Sequence, residues 1–187
     1  MASYGEKVRQ ALLAVQQMHT DTSNLLQHCN GALAGKKKSV FGNYATRDLT
    51  YHVQTKKWMA EGAYRYWDWT SEAPGLVEGV MVDFGFSEGG GPEPTLICGR
   101  LQYKMEPKHK SLKGICGEWD LWNRFYAIEQ SQRIYRQPLK IQPHQLILSG
   151  LVFAIPLYEL TARDQIVGLM KTVRDSFQPV EVASESK

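Results

Sequence analysis

Asp83, Gln102 and Lys104 are the residues whose types and spacing come nearest to a reaction centre. Asp83 lies in one apolar-alternating run and Gln102-Tyr103-Lys104 in the next, and an antiparallel hairpin would set the two runs side by side. Carboxylate and amide oxygens are hard ligands of the kind Mg²⁺ takes, and a nearby lysine can position or deprotonate an attacking water. A basic loop follows: Lys104, Lys108, Lys110 and Lys113 are opposed only by Glu106, and such a loop could touch phosphates. Tyr64, Tyr66 and Asp68, close to Trp58 and within the aromatic run to Trp69, offer a polar and stacking surface. Arg100 and Lys104 are expected on the same sheet face as these three.

An Asp in one strand, then an acidic residue or Gln, a spacer and a Lys in the next, resembles the pattern of the PD-(D/E)XK nucleases. The order helix, meander, helix, strand is similar to that family's core. The resemblance implies a Mg²⁺-dependent nuclease centred on Asp83, Gln102 and Lys104. The chain departs from the pattern in three ways. Position 102 is a neutral Gln, Val82 rather than a proline precedes Asp83, and a hairpin centred near Gly90 sets Asp83 opposite about Cys98. One carboxylate holds Mg²⁺ weakly. No catalytic residue, metal or cofactor is therefore expected, and Mg²⁺ belongs only to the nuclease alternative.

Other chemistries find less support. Gly31 and Gly35 enclose three residues behind a helix, whereas a phosphate-binding P-loop needs four behind a strand. Lys36, Lys37 and Lys38 instead suit a negative helix C-terminus. His19, His28, His52, His109 and His144 include no i,i+4 metal pair, and GxSxG, GxGxxG and HExxH are absent. Arg100, two residues from Cys98 on one strand face, could lower that thiol's pKa. Cys29, Cys98 and Cys116 are odd in number and form no CxxC, which disfavours both a disulfide framework and a zinc ribbon.

The elements that would carry these residues follow from periodicity. Residues 5–34 read as a long helix: Val8, Ala11, Val15, Met18, Thr22, Leu25, Cys29 and Ala32 step by three and four. Thr20–Ser23 could split it. Strands are expected at 49–54, 63–69, 77–86 and 95–104, with the loop Ser87–Pro94 between the last two. Val80, Val82 and Phe84 are expected inward beside Ile97, Leu101 and Tyr103, under the last helix. Met81, Asp83, Cys98, Arg100, Gln102 and Lys104 then share the opposite, polar face, which an antiparallel sheet can leave wet. A helix over 118–133, a short extended piece at 139–142, a strand at 151–155 and a helix over 162–177 capped by Thr161 complete the chain. Segregated helices and strands give an α+β fold: one domain over 1–178 and a flexible tail over 179–187.

Composition sets the outer bounds. With 187 residues, 43% of them apolar and 22% charged, the chain has globular usage. A net charge of +3 permits a nucleic-acid partner without arguing for one. The longest apolar stretch, Leu146–Tyr158, is broken by Ser149, Gly150 and Pro156 and is too short for a membrane span. The expectation is a soluble, cytoplasmic, non-enzymatic adaptor domain acting through protein–protein contacts, with homo-oligomers forming through helix 5–34. Two alternatives stand beside it: a metal-dependent, nucleic-acid-acting protein, and a small-molecule-binding domain.

Overall fold

The computed structural model describes residues 3–34, 37–40, 62–84, 93–106, 111, 112, 115, 135–141, 143 and 146–181. The N-terminal helix α1 spans Tyr4–Cys29 and runs on through a π-helical turn, Asn30–Ala34. Ser3 caps it by accepting the Glu6 amide at 3.2 Å. The polar run Thr20–Ser23 does not split the helix. Thr20 Oγ1 donates to the carbonyl of Gln16 one turn back, and Thr22 turns into the core.

Among the described residues five antiparallel strands form one sheet: β1 Gly62–Asp68, β2 Leu76–Asp83, β3 Thr95–Tyr103, β4 Tyr135–Ile141 and β5 Ile147–Pro156. Their spatial order is β1-β2-β3-β5-β4, so β5 fills the place between β3 and the edge strand β4. A 3₁₀ turn at Leu157–Glu159 leads into helix α2, Asp164–Ser176. The class is α+β, as expected. The short extended piece expected at 139–142 falls on the end of β4 over 139–141, while the expected strand at 49–54 and helix at 118–133 lie outside the described residues.

Between β1 and β2 the chain turns at Gly75, whose φ is +76°. A Cβ there would lie 2.1 Å from the Tyr103 carbonyl oxygen, so only glycine fits this turn. The start of α2 differs from expectation. Thr161 does not cap; the Gln165 side chain reaches back instead and accepts the amides of Thr161 and Ala162 at 2.7 and 3.0 Å.

The main correction concerns register. Asp83 pairs with Thr95 and Glu78 with Arg100, not Asp83 with Cys98. The shift from the expected pairing is three residues, an odd number, which turns one strand's faces over relative to the other. Val80 and Val82 therefore share a face with Cys98, Arg100 and Gln102, and pack with Phe153 against Leu26 and Cys29 of α1 and Ile166, Met170 and Val173 of α2. Ile97, Leu101 and Tyr103 face the other way, with Tyr64, Tyr66, Met81 and Val152. All six residues expected to be buried are buried, but on two faces. The sheet has no wet face along β2 and β3, where every residue is buried.

Candidate functional site

The polar residues of the hairpin are spent inside the protein. Glu78, fully buried, accepts Arg100 Nε at 3.0 Å, and Arg174 of α2 donates to both of its oxygens, Nε at 2.8 Å and Nη2 at 2.5 Å. Arg100 then grips Glu72 in the β1–β2 turn with two parallel bonds, 2.8 and 3.1 Å. Arg174 also donates to the Leu33 carbonyl at 2.8 Å, which ties the end of the α1 segment to α2. The Trp69 ring completes the cluster. The guanidinium carbons of Arg100 and Arg174 stand 4.6 and 4.7 Å from its centroid and Lys37 Nζ stands 4.6 Å away.

Two carboxylates thus meet two guanidiniums in a closed set. The hydrogen bond to Glu78 raises the Arg174 pKa further and keeps it cationic. Such an arrangement cross-links sheet, turn and helix.

Gln102 has a comparable internal task. Its buried carboxamide accepts the Val180 amide at 2.7 Å and donates to the Val180 carbonyl at 3.0 Å, as a neighbouring strand would. The tail expected to be loose from Pro179 is therefore clamped at Val180; residues 182–187 lie outside the described set. Cys98 also departs from expectation. Burial pushes its pKa up, with Cys29 and Glu78 adding to the rise, while Arg100 is committed to its two carboxylates. Burial likewise pushes the Cys29 thiol up to about 12.

The nuclease set does not assemble. Asp83 and Gln102 lie on opposite sheet faces, and Lys104 lies nine residues along β3 from Thr95, the partner of Asp83. At strand rise that is about 30 Å. Lys104 is exposed at the far end of the hairpin. Among the described residues no group of three His, Cys, Asp or Glu is placed to hold a metal ion. Of the other expected binding residues, Tyr64 and Tyr66 are buried on the second face. Asp68 accepts the Thr70 amide and hydroxyl in a local turn. Lys108, Lys110 and Lys113 lie outside the described residues.

One open feature of the described surface is α1 itself. His19 packs edge-on against Phe84 at 5.5 Å, and no residue of α1 before Thr22 is buried. Thr22, Leu26 and Cys29 are buried, yet Tyr4, Val8 and Leu12, on or beside the same apolar face, are 84%, 42% and 65% exposed. That face runs into a groove of about 630 Å³ between α1 and the chain after β5, floored by Met18, Thr22, Leu25, Leu157 and Leu160 and rimmed by Asp21 and Arg163.

Sequence reading noted the stripe but missed Glu72, Arg174, the pairing of Glu78 with Arg100 and the groove. A signal existed for Glu78, a lone charge in an apolar run. The groove had none, because Leu157 and Leu160 reach α1 only through the tertiary fold. Among the described residues no helix is long and apolar enough to cross a membrane. No family model, no curated protein and no solved structure matches the chain.

Proposed function

We propose that this chain is a protein-binding module without a catalytic centre, docking its partner on the first four turns of α1 and the adjoining groove. One observation carries the reading: a single apolar stripe is core over its second half and exposed over its first. A contiguous exposed apolar surface of this kind marks an interaction site more often than chance exposure does. An amphipathic helix offering anchors one turn apart is a common protein-recognition surface. The groove's volume also falls in the range of small-molecule sites. Its opening onto the exposed stripe favours a macromolecule. The buried thiols Cys29 and Cys98, neither in a disulfide, suit a reducing compartment, which supports a cytoplasmic location.

The test is a photo-crosslinking residue at Leu12 and, as control, at Leu146, which is 41% exposed at the other end of the sheet. The reading expects a covalent protein adduct in cells from Leu12 and none from Leu146. No adduct from Leu12 would overturn it.

A further inference from the structure

Building on the reading of α1 as a docking surface, we propose that the partner is a second copy of this chain, joined α1 to α1 in antiparallel about a two-fold axis level with Leu13. The stripe is an unbroken heptad. Tyr4, Val8, Ala11, Val15, Met18, Thr22, Leu25 and Cys29 follow one another by alternating steps of four and three over the full helix, although its own domain buries only the later members. This is the spacing that packs one helix against another.

The stripe is also self-complementary in one antiparallel register. With the axis level with Leu13, Tyr4 comes level with the other copy's Thr22, which is buried on the floor of the groove, Val8 meets Met18 and Ala11 meets Val15. A larger residue faces a smaller one at each of these levels. Leu12 meets its own copy across the axis on one flank, and Ala14 meets its own copy on the other.

Charge selects the same register. It brings Lys7 of each copy against Asp21 of the other, twice by symmetry. Asp21 is held at the groove rim by Gln17, whose Nε2 lies 2.9 Å from its Oδ1. Sliding the pair one heptad toward the N-termini sets Lys7 against Ala14 and leaves the groove empty. Sliding it the other way sets Tyr4 level with Cys29, which is fully buried and does not line the groove.

In the chosen register Tyr4 of one copy falls over the groove at Met18, Thr22 and Leu25 of the other. The most exposed large apolar side chain of α1 thus fills the open apolar pocket beside it. An interface that pairs a patch with itself is the usual basis of a two-fold dimer.

The experiment is sedimentation equilibrium of the purified full chain, from low to high micromolar protein, with four variants. The wild type is expected to show a monomer–dimer equilibrium. Leu12→Glu, which sets two carboxylates together at the axis, should leave a folded monomer with unchanged circular dichroism. Lys7→Glu and Asp21→Lys should each weaken dimerisation by about tenfold, through lost pairing and new repulsion. The double variant Lys7→Glu/Asp21→Lys should return to within about threefold of wild type, since the pair is restored in reverse. A wild type that is monomeric throughout overturns the self-pairing. In that case an adduct from Leu12 to a different protein would still uphold the docking surface, and no adduct would end both. A dimer that ignores Leu12→Glu, or a double variant no better than the singles, also overturns this pairing.

Discussion

The Glu78–Arg100–Arg174 cluster and the first four turns of α1 use their residue types in opposite ways. Charged groups, which would suit a solvent-facing site, are drawn inward and paired with one another under two helices. Apolar groups, which would suit a core, run past the end of the sheet and stay exposed. The cluster is closed because Glu78 receives bonds from both arginines, and Arg100 spends its remaining donors on Glu72. The overhang is open because α1 runs for 26 residues, about 39 Å, and none of them before Thr22 is buried. Function in this fold is better sought where a pattern continues without a partner than where polar residues gather.

The sharpest break in the comparison is at Glu78. Glu78→Ala leaves Arg100 buried without one of its two acceptors and should cost about 3–5 kcal/mol in chemical denaturation. Next comes pH. The Cys29 thiol titrates near 9.0 when unperturbed and at about 12 in the fold. A thiol raised in this way contributes its stability fully below the unfolded value and loses it as pH rises toward the folded one. Stability should therefore fall above about pH 9, by about 1.4 kcal/mol per pH unit per thiol, and Cys29→Ala should flatten part of the slope. Gln102→Ala removes the clamp on Val180. It should cost about 1–3 kcal/mol and speed proteolysis of the C-terminus. The smallest effect is expected at Leu12. Leu12→Ser in dilute protein should change stability by less than about 0.5 kcal/mol, because the side chain makes little contact within its own chain. A cluster variant that unfolds the protein and an overhang variant that does not would separate the two regions by role.

Much of the fold was legible because its signals are local. The step of three and four along α1, the alternation in β2 and β3, and the apolar spacing of α2 each need only a dozen residues. Register was not legible. The loop between β2 and β3 is rich in glycine and proline, and its sequence does not say where within it the chain reverses. A hairpin centre misplaced by one and a half residues set Asp83 beside Cys98 instead of Thr95. Cys98, Arg100 and Gln102 were thereby assigned to a polar face that they do not share with Asp83. Burial survived the error because both faces are covered. The cluster was hidden for a different reason: Glu72 and Arg174 are 102 residues apart, with Glu78 and Arg100 between them, and only the packing of α2 over the sheet joins them. The stripe on α1 was visible from the start, but nothing local marked Phe84 as the place where the sheet stops supporting it.

Amide hydrogen exchange along α1, compared at low and at high protein concentration, tests the contrast between closed and open regions most directly. The second half, Thr22–Cys29, is packed within the chain and should exchange slowly and alike at both concentrations. The first half has only its own helical bonds when free, and short unpacked helix is marginal in water. Its amides from Val8 to Met18 should exchange fast in dilute protein and slow markedly as concentration rises. Equal protection of the two halves at every concentration would contradict the account, since the overhang would then gain nothing from a second copy.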